Sequence, residues 1–159
     1  MNKRALTIIG VITVFLVATN AYAENCTKAD LFKAVDYTAG LINTKGKAAL
    51  PELTKYRYCN GLGYVFVVEL DGKIILQPAN PQLEGKDITV MQGAKNEFFG
   101  AEMKAKAQKY GQGWVSYVWE NPKTKGLEIK CSFVKTATMD GKKVFVGSGI
   151  YGIRLDDCK

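Results

Sequence analysis

The sequence predicts an α+β domain: a five-stranded antiparallel sheet with a long helix ahead of it and a crossing helix in its middle. Three observations predict this. Apolar residues recur at helical spacing around 28–43 and 94–110. Five runs rich in Val, Ile, Tyr, Phe and Trp stand between and after those stretches. Asp71-Gly72 and Asp140-Gly141 turn two of the runs back antiparallel.

The first helix opens on Thr27-x-x-Asp30, the spacing of a capping box, and carries Leu31, Ala34, Val35, Leu41 and Ile42 on one stripe. Lys45-Gly46-Lys47 interrupts it, and a further short helix over 48–56 has Pro51 in its first turn. A strand over 64–70 pairs with one over 73–76. Pro78 and Pro81 then forbid regular pairing, so 77–93 makes an irregular crossing. The crossing helix over 94–110 repeats Phe99, Met103 and Ala107, and Gly111 ends it. Strands over 114–120, 127–136 and 143–155 complete the sheet as a meander. No internal repeat or second-domain boundary is present.

Residues 1–23 have the pattern of a secretory signal peptide. Lys3-Arg4 precedes an apolar run of 13 residues, and Ala21-Tyr22-Ala23 is a small-x-small cleavage site. The run falls short of the roughly 20 residues a spanning helix needs. Cleavage leaves one domain over 24–159, periplasmic or secreted. The formal charge is +7, and losing Lys3 and Arg4 leaves +5. Arg57 and Arg154 are the only arginines left, with no basic stripe, which argues against nucleic acid. A mildly basic surface favours small acidic solutes and anionic partners.

All four cysteines, Cys26, Cys59, Cys131 and Cys158, lie in the mature part, which suggests two disulfides with three connectivities. Because the ends of a domain usually lie close together, Cys26 is expected to pair with Cys158, leaving Cys59 with Cys131. No two cysteines have the Cys-x-x-Cys spacing of a redox dithiol or thiolate metal site. The chain has no histidine, so imidazole-based nucleophilic catalysis and zinc binding are excluded. Nor is there a paired-acid or Ser-x-x-Lys motif. The expectation is a protein that is not an enzyme and uses no cofactor or metal.

The stretch 111–135 is the richest in potential binding chemistry. It holds Trp114, Tyr117, Trp119 and Lys130. Tyr117 and Trp119 are two apart and share one face of a strand, while Trp114 sits at the strand mouth. Aromatic walls exclude water and a fixed ammonium supplies counter-charge, a combination suited to a small organic anion. Lys130 is the first candidate for that ammonium; Lys135, of opposite parity, is expected at the surface. Phe66 and Tyr151 are expected in the core rather than against a ligand.

Several motifs in order resemble the Cache domain, the PAS-like extracytoplasmic sensor module of bacterial chemoreceptors and sensor kinases. They are Gly63-Tyr64-Val65-Phe66-Val67, Ile75-Leu76-Gln77-Pro78, Asn80-Pro81-x-Leu83-x-Gly85-Lys86, and Gly113-Trp114-Val115-x-Tyr117-x-Trp119-x-Asn121-Pro122. Lys130-x-x-Phe133-Val134-Lys135 and Val146-Gly147-Ser148-Gly149-Ile150-Tyr151 complete the set. The chain is most similar to small exported proteins that consist of a single Cache domain of type 2. Family members often carry histidine at Gln77 and tyrosine at Phe133, so pocket polarity is reduced here.

The resemblance implies a pocket beneath the crossing segment, with 77–93 as a mobile lid. It implies a ligand among the short carboxylic acids of two to four carbons, and a set of ligand-facing residues comprising Gln77, Trp114, Tyr117, Trp119, Lys130 and Phe133. A membrane receptor or sensor kinase as partner, and a homodimer through the first helix, belong to the same implication. The competing reading is a structural or interaction protein that keeps the fold without a ligand.

Overall fold

The computed structural model describes residues 26–159; the segment read as a signal peptide lies outside them. Helix α1 (Lys28–Lys45) begins at the capping box, where the Asp30 backbone N–H donates to Thr27 Oγ1 and the Thr27 N–H donates to Asp30 Oδ2. A 3₁₀ turn leads into α2 (Leu50–Lys55). The strands are β1 (Val65–Glu69), β2 (Ile74–Leu76), β3 (Gln112–Glu120), β4 (Leu127–Met139) and β5 (Lys142–Tyr151). They form one antiparallel sheet in the order β2-β1-β5-β4-β3, so the expected fold class is the one observed.

The sheet lies between two layers. On one face α1 packs Leu31, Val35 and Ile42 against Val65, Val67, Phe133, Val144 and Val146. On the other, α3 (Phe99–Tyr110) packs Phe99, Met103 and Ala107 against Phe66, Val68, Tyr117, Val134 and Phe145. Alternate residues of each strand go to opposite faces, which is why an inner strand such as β1 is apolar from Val65 to Val68.

The crossing helix starts at Phe99, the first residue of its apolar repeat, five residues later than the expected start at 94. Residues 93–97 instead fold against the free edge of β3. The Ala94 N–H donates to the Val118 carbonyl, and Glu97 accepts from the Val118 and Lys95 N–H groups. Tertiary hydrogen bonds outweigh helix propensity here. The last strand stops at Tyr151 because Gly152, at φ +75°, turns the tail away.

The disulfides correct the expected pairing. Cys26 joins Cys59, and Cys131 joins Cys158. The two ends of the domain do meet, since Lys28 Nζ donates to the Asp157 and Lys159 carbonyls. After Gly152, however, the tail turns so that Cys158 lies 5.7 Å from Cys131, Cα to Cα. Cys26 is left beside the turn that carries Cys59.

Candidate functional site

A cavity of about 340 Å³ opens between the sheet and the crossing segment. The sheet contributes Phe66, Tyr117, Trp119, Lys130 and Tyr151, with Tyr64 just ahead of β1. The crossing segment supplies Gln77, Leu83, Ile88 and Met91, and α3 supplies Phe99 and Met103. The segment 77–93 thus covers the pocket as expected. It is pinned more firmly than a loop without regular pairing, because Lys86, Gly85 and Ile88 exchange backbone hydrogen bonds with Ile74 and Gly72.

Lys130 forms the floor. It is 3 % exposed, and its Nζ donates to the Tyr64 hydroxyl at 2.7 Å. The same nitrogen lies 4.9 Å from the centre of the Tyr64 ring and 5.1 Å from that of Tyr151, distances typical of a cation held by aromatic faces. Gly149 makes room for it: a Cβ there would fall 2.6 Å from Lys130 Cε and 2.3 Å from Ser132 Oγ.

Among the described residues, none of the ion pairs within 4.0 Å includes Lys130. Burial pulls the pKa of its amine down, but the phenol oxygens of Tyr117, Tyr64 and Tyr151 oppose this, and the balance lies above the ordinary lysine value. Its ammonium form is held by the hydrogen bond to the Tyr64 hydroxyl and by the Tyr64 and Tyr151 ring faces. Tyr117 and Tyr151 supply no formal charge there: burial pushes Tyr117 up, and Tyr151 up to about 12. A buried cation without an anion is costly unless something compensates it.

The walls are ordered by ring packing. Phe99 stacks on Tyr117 at 4.2 Å, and Trp119 meets both edge-on. Tyr117 also exchanges a hydrogen bond with Ser132, and the Tyr151 hydroxyl donates to the Glu120 carbonyl. The arrangement can dock a small anion on one ammonium inside an aromatic box. Among the described residues there is no group of His, Cys, Asp and Glu suited to a metal ion.

Four of the six sequence candidates meet in this cavity: Gln77, Tyr117, Trp119 and Lys130. Trp114 and Phe133 do not. They are cross-strand partners on the opposite face, 4.9 Å apart between ring centres. There Phe133 also meets Phe32, and Lys28 Nζ lies 4.4 Å over the Trp114 ring. Strand parity is the reason: Trp114 is an odd number of residues from Tyr117 and Trp119, and Phe133 from Lys130. Phe66 and Tyr151, expected in the core alone, line the cavity as well. Tyr64 is a pocket residue that sequence reasoning did not single out. Its place two residues before Phe66 gives it the pocket parity, but only the register of β4 on β5 brings Lys130 beside Tyr151. Lys135 faces α1 and pairs with Asp36 at 2.7 Å.

With this geometry in place, comparison with known proteins identifies the architecture. A family model for the Cache domain matches residues 40–157. An 88-residue stretch, 55 % of the chain, is 30 % identical to the methyl-accepting chemotaxis protein McpP of Pseudomonas putida, where it spans 16 % of that protein's length. A solved periplasmic sensor domain of a chemotaxis protein is 28 % identical with a TM-score of 0.62, over 77 % of this chain and 88 % of that one. A domain solved in work on carboxylic acid recognition by a Cache chemosensory domain superposes with a TM-score of 0.67. It is 24 % identical over 79 % of this chain and 92 % of that one, and at that identity the likeness concerns the fold.

Proposed function

The chain belongs to the Cache domain family, and from that premise we propose that it is a non-catalytic periplasmic sensor module for a carboxylate of two to four carbons. In this reading the ligand carboxylate docks on Lys130, and Tyr117, Trp119 and Tyr151 enclose its carbon chain. The occupied state passes to a membrane receptor or sensor kinase, with a homodimer through α1 as the assembly that presents it. The signal peptide pattern over 1–23 and the two disulfides support a periplasmic location.

One observation carries the reading: a buried lysine amine faces a cavity and, among the described residues, has no acid within ion-pair distance. Its phenol partners orient it but bring no carboxylate to balance its charge. A carboxylate placed there gains far more than it would in water, because effective dielectric falls with burial. A fold neighbour named for carboxylic acid recognition is in keeping with that ligand class, and a relative named for chemotaxis is in keeping with a sensor role.

A thermal-shift screen with acetate, propionate, butyrate, pyruvate and lactate tests the proposal. At about 100 times its dissociation constant a ligand stabilises the fold by about 2.7 kcal/mol. The cavity is roomy for acetate, so each added methylene should strengthen binding, by up to ~0.8 kcal/mol. No shift with any acid would refute the reading and favour a protein that keeps the fold for interaction alone.

A further inference from the structure

A half-exposed disulfide is tied to the acid site through Tyr64, and the control inferred from it rests on the acid-binding reading. Tyr64, whose hydroxyl accepts from Lys130, follows directly on a tight turn over 58–63. In that turn Tyr58 and Gly63 exchange both backbone hydrogen bonds, at 3.0 and 3.2 Å. Cys59 and Asn60 adopt left-handed backbone there, with φ +49° and +53°. Residues other than glycine hold that conformation only where their surroundings impose it. Two ties do so. The Tyr58 hydroxyl pairs with Ser148 Oγ at 2.5 Å, and Ser148 in turn donates to the Tyr64 carbonyl. Cys59 is bonded to Cys26, one residue ahead of the N-cap of α1.

The two disulfides differ in reach. Cys131 is 0 % and Cys158 8 % exposed, whereas Cys26 and Cys59 are both half-buried. A groove between this turn and the first turn of α1 opens onto Cys59, with Lys33, Tyr56 and Tyr58 in its walls. Asp30 lines it too, its carboxylate engaged by the Thr27 hydroxyl and N–H, and Lys33 offsets that charge toward an incoming thiolate. Attack on Cys59 Sγ breaks the S–S bond and expels Cys26 as a thiolate. It leaves at the N-terminal end of α1, where the helix dipole favours negative charge. The second thiol of a dithiol then attacks the mixed disulfide and releases Cys59. Two electrons and two protons pass to Cys26 and Cys59, and the dithiol ends as a disulfide. We propose that Cys26–Cys59 is a thiol-exchange site for a dithiol reductant, and that its reduction slackens the turn, loosens the Tyr64 anchor on Lys130 and weakens acid binding.

The test exposes the purified protein to rising dithiothreitol, reads each cysteine by alkylation and peptide mass spectrometry, and titrates each state with propionate by calorimetry. Cys26 and Cys59 should become alkylated at a reductant concentration that leaves Cys131 and Cys158 paired. The half-reduced protein should bind propionate three- to tenfold more weakly, the effect of one hydrogen bond. In Tyr64→Phe, which already lacks that bond, reduction should change affinity less than twofold, which separates the Tyr64 route from general loosening of the fold. The double variant Cys26→Ser, Cys59→Ser should match the half-reduced protein without any reductant. Reduction of both disulfides together would overturn the exchange site. A half-reduced protein that binds propionate like the oxidised one, that unfolds by circular dichroism, or that loses as much affinity in Tyr64→Phe as in the wild type would overturn the control and leave the acid-binding reading intact. No binding of any short acid by the oxidised protein would remove the acid-binding reading and the control with it, while the order of alkylation would still decide the exchange site.

Discussion

Lys130 Nζ donates to the hydroxyl of Tyr64 at 2.7 Å, across 66 positions of sequence. The bond fixes one of the three ammonium protons and leaves the others free to turn toward the cavity. Tyr64 thereby becomes a positioning residue. Tyr64→Phe keeps the ring and removes the oxygen, so short-acid affinity should fall roughly three- to tenfold, the effect of one hydrogen bond. Unchanged affinity by calorimetry would show that the amine needs no such anchor.

Gly149 guards the space beside the Lys130 stem. A Cβ there would meet both Lys130 Cε and Ser132 Oγ below contact distance, and the central strand β5 has little freedom to move aside. Gly149→Ala should displace the amine, weaken acid binding at least tenfold and lower stability by about 1–3 kcal/mol. Full affinity in that variant, measured by the same titration, would mean that the lysine tolerates displacement.

Trp114 and Phe133 belong to the α1 face and not to the pocket. Trp114→Ala should cost about 2–3 kcal/mol of stability, measured by urea denaturation, since the ring is only half-buried. It should leave the dissociation constant for short acids within about twofold. A selective loss of binding would place Trp114 back at the ligand.

The phenols set the pH dependence. Burial raises Tyr58 and Tyr151 to about 12 from the ordinary 10.0. A raised pKa means that the fold favours the protonated phenol. Its stabilising contribution is therefore complete below about pH 10 and is lost as pH climbs from there toward 12. Melting temperature should stay flat through neutral pH and drop across that alkaline window. Acid binding should be flat from about pH 6 to 9 and fall below about pH 4.3, as the ligand's own carboxyl protonates. A binding step near neutrality would contradict the assignment of Lys130 as a permanent ammonium.

The fold was largely legible in the sequence because its signals are local. The Thr27-x-x-Asp30 box, the Asp-Gly turns and the apolar repeats each act within a few residues. The motif order added the family. The pocket was legible only as far as strand parity reaches: Tyr117, Trp119 and Lys130 share a face, and applying the same rule to Trp114 and Phe133 would have removed both. Tyr64 and Tyr151 escaped because their approach to Lys130 depends on long-range register and on a chain crossing with no periodic signal. The disulfides escaped for the same reason, since the turn at Gly152 decides which partner Cys158 reaches.

The central claim concerns one charge, and calorimetric titration of propionate into the wild-type protein and Lys130→Met tests it most directly. The methionine fills similar volume and relieves a buried unpaired cation, so the ligand-free variant should melt at or slightly above the wild-type temperature. The account predicts one acid per chain for the wild type and binding weakened at least a hundredfold in the variant. A variant that keeps its fold and binds the acid as tightly as the wild type would contradict it.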